Sequence, residues 1–227
     1  MQDSVFIPTF NLTFGGHTPG KDMADRFYEN AALGATFNLK LKSNWLIGVE
    51  GSYLFAPSHH EKGLMAELKT QYGTIIDFDG RESVILEQQR GFNAFVFGGK
   101  LFNWIGPNPN CGIVIRGGVG FLQHRIWIEN RLNDVPQLEG DYRKGYDRLT
   151  NGIAFNQFIG YHHQSNARLV NFFVGFEFIQ AFTQSRRDYN FDLMRKDNTK
   201  RQDFLYGIKL AWAIPFAKRT PKEFYTN

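Results

Sequence analysis

The chain has 227 residues, of which 42% are hydrophobic, 21% charged and 16% aromatic, with 23 Phe, 23 Gly and 1 Cys; this suits one folded domain and excludes both a disordered chain and a disulfide-stapled one. Mean hydropathy is -0.37 and no apolar run approaches ~18 residues, which excludes a membrane-spanning helix but not a barrel, where alternation dilutes the apolar residues. The formal charge of +4 comes without a long basic block, zinc-ligand spacing or RNA-recognition motif, so nucleic acid is not an expected partner; anionic lipid headgroups suit the same charge.

The opening Met1-Gln2-Asp3-Ser4 has neither a basic segment nor an apolar one, so a precursor carrying a signal peptide is expected. A first strand is predicted over 5–14, with Phe6, Phe10, Leu12 and Phe14 on one parity and Thr9, Asn11 and Thr13 on the other. Pro8 is tolerable there only near an edge or bulge. Leu33, Ala35, Phe37, Leu39 and Leu41 then alternate with Gly34, Thr36, Asn38 and Lys40, and Trp45, Ile47, Val49, Tyr53 and Phe55 with Leu46, Gly48, Glu50 and Ser52. Each segment carries a bulky face and a small or polar face, the period-2 signature of a strand.

Further strands are predicted over 91–104, 112–128, 150–162 and 168–182. In the second of these Arg116 lies on the face of Gly118 and Gly120, and in the last Val170 falls on the bulky parity while Glu177 lies with Asn171 and Gly175. The final strand is the clearest. Phe204, Tyr206, Ile208, Leu210, Trp212, Ile214 and Phe216 share one parity against Leu205, Gly207, Lys209, Ala211 and Ala213. A bulky aromatic face opposite small residues and a charge matches a lipid-facing exterior around a narrow filled lumen.

The gaps between these strands are 15–26, 42–44, 57–90, 105–110, 129–149, 163–167 and 183–202, alternating long and short. That segregation is expected of a transmembrane barrel. The sequence therefore predicts an all-β fold, an eight-stranded antiparallel transmembrane β-barrel over 1–216 with short periplasmic turns and long extracellular loops, and a periplasmic tail over 217–227. Tyr28, Trp45, Tyr53, Trp104, Trp127, Tyr161 and Trp212 are expected to form interfacial girdles. The segment 57–90, with Leu64, Met65, Leu68, Ile75, Ile76 and Phe78, is too apolar for a mobile loop and should fold over the rim or dock on a partner.

Glu50, Arg116, Glu177 and Lys209, with Lys40 and Lys100, are expected to point inward as a charge network, since charge in a narrow lumen must be paired. Its expected role is structural, because an eight-stranded lumen is filled by side chains. The pairs His59-His60 and His162-His163 are not preorganised as metal ligands, because neighbours on a strand face opposite sides; rim or loop positions are expected. Ser165 beside His162 and His163 has the residue types of a nucleophile and base but no geometry to recommend it. The run Gly117-Gly118-Val119-Gly120 lacks the helix a phosphate loop needs and is expected to make room in the lumen or to permit strong bending of the sheet. No cofactor and no metal are expected. Arg186, Arg187, Arg195, Lys196, Lys200 and Arg201 form a basic loop suited to lipopolysaccharide phosphates or a partner.

The barrel plan, the strand from Phe204 to Phe216 and the Lys218-Arg219-Thr220-Pro221 tail resemble small outer-membrane barrels of the OmpA/OmpW-like kind, and especially the PorG-type accessory barrels of type IX secretion. One departure stands out: such barrels often end on an aromatic residue, whereas this chain continues past Phe216 to Asn227. The resemblance implies a non-catalytic subunit or anchor of an outer-membrane secretion or assembly complex in a Gram-negative envelope. Lys218, Arg219, Lys222, Phe224 and Tyr225 are then expected to touch a periplasmic partner. The alternatives are an outer-membrane lipid-modifying enzyme, which needs Ser, His and an acid converging near the outer headgroups, and a soluble lipocalin-like carrier, which needs the bulky parity inside.

Overall fold

A computed structural model describes residues 6–131, 135–165 and 171–215. Its barrel strands are β1 (Ile7–Lys21), β2 (Asn30–Lys40), β3 (Trp45–Ala56), β4 (Ile85–Phe102), β5 (Gly112–Asn130), β6 (Thr150–Gln164), β7 (Asn171–Ser185) and β8 (Lys200–Pro215). Each pairs antiparallel with its neighbours in sequence, and β1 pairs with β8 from Thr9↔Pro215 to Lys21↔Asp203. Closure leaves no strand edge to be satisfied in lipid. Pro8, the second residue of β1, stands across from Leu39 of β2, at the end of the strand where proline is tolerated.

The period-2 pattern sorts the side chains as the sequence predicts. Leu12, Phe14, Leu33, Phe37, Ile47, Val49, Val96, Ile115, Val119, Ile159, Phe176, Ile208 and Leu210 are exposed on the outside, while Thr9, Asn11, Thr13, Thr36, Glu50, Asn93, Asn156 and Lys209 are buried inside. An apolar exterior around a polar interior is the inverse of a soluble carrier and defines a wall that faces lipid. At the end of the short turns Trp45, Trp104 and Trp212 are exposed, and at the end of the long loops Tyr28, Tyr53 and Tyr206 are. Of the other residues expected in girdles, Trp127 and Tyr161 are only half-exposed.

Several strands run further than predicted. β1 continues past Phe14 to Lys21 and β4 begins at Ile85 rather than Gly91. Glycines at 15, 16 and 20 hide the alternation in the first case, and the polar run Glu87–Arg90 hides it in the second. Consequently the first loop is only 22–29, no longer than the turn 103–111. The expected strict alternation of long and short gaps holds for 41–44 and 165–170 against 57–84, 131–149 and 186–199, but not there.

The lumen is filled in three layers. At the turn end Leu46, Leu101, Val114, Phe158, Phe173 and Ala211 form an apolar plug. Polar and charged side chains occupy the middle. At the loop end Met23 and Phe27 from 22–29, Leu64, Met65 and Ile75 from 57–84, and Val135, Leu138 and Tyr146 from 131–149 pack on Leu54, Leu122, Ile126 and Ile128 of the wall. The segment 57–84 thus folds over the rim, with a 3-10 turn at Ala66–Leu68 and a small ladder of Ile75–Ile76 with Glu82–Ser83, while Tyr72, Ile76, Phe78 and Val84 stay exposed.

Candidate functional site

The middle layer is a charge network to which seven strands contribute. Lys209 of β8 donates to both Glu50 of β3 and Glu177 of β7. Arg116 of β5 donates to Glu50 at 2.9 Å, and its guanidinium lies 4.6 Å from the ring centres of Phe97 and Phe158 and 5.2 Å from that of Phe173. Asn156 of β6 donates to Glu177 at 2.8 Å and to Glu50 at 3.4 Å. His17 of β1 lies 2.9 Å from Glu177, and Thr36 of β2 donates to Glu50 at 3.3 Å. The two carboxylates meet two basic side chains, one ammonium and one guanidinium, and all four side chains are buried. A fully paired set of this kind can hold strands in one register.

The other two lysines of the predicted set lie elsewhere. Lys40 points inward but nearer the turn end, where it donates to the buried Asn110 at 2.9 Å. Lys100 is a correction: it stands across from Trp45 on the outer face, with its ammonium 5.4 Å from the Trp45 ring and 5.8 Å from that of Phe102. The inward parity of β4 belongs to Phe95, Phe97, Gly99 and Leu101, and an ammonium at the girdle is better solvated than one in the apolar plug.

A second buried cluster, absent from the sequence reading, sits above the first. Asp203 of β8 accepts from Thr183 of β7 at 2.5 Å and from Arg26 of 22–29 at 3.0 Å, and lies 2.8 Å from His124 of β5. The signal was parity: His124 shares the inward parity of Arg116 in the predicted 112–128 strand, Asp203 that of Lys209, and Thr183 that of Glu177 once β7 is extended past Phe182. The acid and imidazole resemble half of a catalytic relay, but both side chains are fully buried beneath the cap. They anchor Arg26, and through it the first loop, to the wall.

The histidine pairs divide as neighbouring strand residues must. His162 is buried inside; His163 stacks on Phe172 at 5.2 Å. Both lie within β6: His162 ends the predicted 150–162 strand, whereas His163, expected in the turn, belongs to the strand because it runs to Gln164. His59 bonds Glu87 at 2.8 Å and His60 packs on Tyr28. The amide N–H of Ser165 is held by Asn171 at 2.9 Å. Among the described residues no cluster of three or more His, Cys, Asp or Glu could hold a metal. Gly118 and Gly120 do make room: a Cβ at Gly118 would lie 3.0 Å from the Phe97 Cβ, and one at Gly120 2.7 Å from the inward ring of Phe95.

In the basic loop, Arg187 is engaged by Asp147 and Arg201 by Asp197 at 2.6 Å, leaving Arg186, Arg195, Lys196 and Lys200 exposed. The Asp147 hydrogen bond raises Arg187 above its ordinary value. Lys218, Arg219, Lys222, Phe224 and Tyr225 lie outside the described residues. On the cap, a cleft of about 510 Å³ is lined by Tyr142, Tyr146, Phe191 and Met194 beside Glu67 and Asp192. Burial holds Asp192 above its usual range, against the opposing pull of Arg148.

A closed eight-stranded wall, apolar outside and charge-paired inside, whose described residues plug the lumen at one end and cap it at the other, defines a transmembrane β-barrel of the outer-membrane type. Among solved structures the chain is similar to Ail, the attachment invasion locus protein of Yersinia pestis, at 8% identity and a TM-score of 0.39 over 93% of this chain and 100% of that one. The complex of that protein with the heparin analogue sucrose octasulfate gives 10% identity and a TM-score of 0.34 over the same shares. No protein-family profile and no curated protein matches the chain.

Proposed function

We propose that the protein is a non-catalytic barrel of a Gram-negative outer membrane, serving as an anchoring or accessory subunit of an envelope secretion or protein-assembly complex. The observation that carries this reading is the cap. It is packed onto the barrel by a continuous apolar core, yet it presents Tyr72 at 80%, Phe78 at 69%, Val84 at 71% and Met194 at 71% exposure. Large apolar side chains exposed to water on a surface packed against a core are the composition of a docking surface. The lumen, filled by the described residues, argues against solute transport, and the His124–Asp203 pair is buried beneath the cap.

The finer assignment, an accessory barrel of type IX secretion, rests on the sequence resemblance. In it the tail over 217–227 meets a periplasmic partner through Lys218, Arg219, Lys222, Phe224 and Tyr225, and the exposed basic residues of 186–201 meet lipopolysaccharide. Affinity capture of the full chain from detergent-extracted native envelopes tests the reading, alongside a chain lacking 217–227 and a Tyr72→Ser/Phe78→Ser/Met194→Ser chain. A defined set of envelope proteins should be retained by the full chain and lost with one of the changes. Recovery of the barrel alone from all three overturns it.

A further inference from the structure

Arg90 of β4 and Arg125 of β5 stand directly across from one another in the ladder. Their sequence neighbours Gln89, His124 and Ile126 are fully buried, so both guanidinium groups project from the outer wall. One register step toward the turn end is Phe92↔Gln123, and the Phe92 and Phe121 rings pack there at 5.9 Å on the lipid face. One step toward the loops is Gln88↔Trp127. Arg125 lies 4.7 Å from the Trp127 ring centre, and Arg143, from 131–149, lies 5.0 Å from it.

Like charges directly opposite each other across a ladder repel, and at the edge of an apolar band screening is weaker than in water. The carboxylates nearby are committed elsewhere. Asp147 is 3.8 Å from Arg125 but is bonded by Arg187, Glu129 pairs with Arg131 at 3.0 Å, and Asp141 pairs with Lys144. Arg90 donates to the Ala56 and Gln89 carbonyls and to the Gln88 amide, and Arg143 to the Ile128 carbonyl at 3.3 Å; none of these acceptors carries charge.

The same rim continues around the wall. Asn151 of β6 donates to Gln123 at 3.2 Å and accepts from Arg186 at 2.6 Å. Beyond it a groove of about 370 Å³ is lined by Phe182, Gln184, Arg186, Lys200 and Gln202. Two cationic positions, Arg90–Arg125–Arg143 between β4 and β5 and Arg186–Lys200 between β7 and β8, are thus joined by neutral hydrogen-bonding groups across three strand spacings, roughly 14 Å.

We propose that this rim binds a glycolipid carrying two phosphates, one between Arg90 and Arg125 and one between Arg186 and Lys200, with its polar middle on Gln123 and Asn151 and its chains on Phe92, Phe121 and Phe182. The proposal rests on the reading that the wall faces an outer membrane. Charge-assisted bonds from guanidinium to phosphate are strong and bidentate, and the bound anion removes the Arg90–Arg125 repulsion.

The test uses the full chain and an Arg90→Gln/Arg125→Gln chain in maltoside micelles, which contain no phosphate, with bisphosphorylated lipid A, its monophosphorylated form or inorganic phosphate added. Binding is read by native mass spectrometry and stability by the temperature at which the folded band is lost on a gel. In plain micelles the variant should melt at or above the parent, because the repulsion is gone. With bisphosphorylated lipid the parent should bind at least tenfold more tightly than the variant and melt higher, so that the order of the two reverses; the monophosphorylated form should bind both weakly. Equal binding by parent and variant overturns the site, and equal protection of the parent by inorganic phosphate overturns the lipid as its source. Failure of the parent to give a folded band in micelles overturns the membrane-barrel reading itself, a result separable from both.

Discussion

Gly207 stands directly across from His17 in the ladder that closes the barrel, and a side chain at 207 would collide with it. A Cβ there would lie 2.1 Å from the Gly16 carbonyl oxygen and 2.6 Å from the His17 ring. His17 needs that space to reach Glu177, so one missing side chain links closure of the sheet to the charge layer.

Gly207→Ala should therefore destabilise the barrel by at least about 1–3 kcal/mol, the usual cost of overpacking. Gly16→Ala, where a Cβ meets nothing within 4 Å, should stay within about 0.5 kcal/mol of the parent. Denaturant unfolding of the refolded proteins measures both, and equal effects would remove the role assigned to the 207 position.

Lys209→Met should cost about 3–5 kcal/mol, since it leaves Glu50 and Glu177 buried with one cation between them. Lys209→Met/Glu177→Gln should recover more than half of that loss, because Arg116 then balances Glu50 alone. An additive result in the same unfolding experiment would show that Lys209 acts through packing rather than charge.

The purified barrel should give no stepwise conductance in a planar bilayer, because the plug, the charge layer and the cap each fill the lumen. Phe158→Ala/Phe173→Ala opens only the plug and should remain silent. Discrete openings from the parent would mean that the cap or the charge layer yields.

Acid should loosen the loop 186–199 through Asp197. Burial opposes its charge, but hydrogen bonds from Arg201 and Thr199 prevail and hold the carboxyl below its ordinary 3.8. A depressed acid contributes stability that is complete above its unfolded value and is lost as pH falls through its folded one. Asp192, held up by burial, acts in the opposite sense, so the readout is a difference: hydrogen exchange of 186–199 in the parent should quicken below about pH 4 relative to Asp197→Asn. Parallel profiles for the two proteins would exclude Asp197 as the source.

The sequence alone determined the wall. Wherever apolar and small or polar residues alternate without interruption, as from Phe204 to Ile214 or Trp45 to Phe55, parity assigns each side chain to lipid or lumen, because pleating turns successive residues to opposite faces. That was enough to bring Glu50, Arg116, Glu177 and Lys209 inward. It failed at Lys100, where Phe95 and Phe97 on the inner face made both faces of β4 look apolar, and in β1, where glycines carry no face at all.

Tertiary structure decided what the alternation does not encode. Which inward residues meet depends on how each strand is staggered on the next around a closed wall, so Lys209 could bridge two acids, and His124, Thr183 and Arg26 could converge on Asp203, only once all eight strands were in register. The cap was decided in the same way: the apolar residues of 57–84 and 131–149 have no period of their own, and the open mouth of the barrel supplies the surface that buries them. The cross-strand pair Arg90 and Arg125 belongs to this second class, since each is unremarkable in its own segment and acquires meaning from the other.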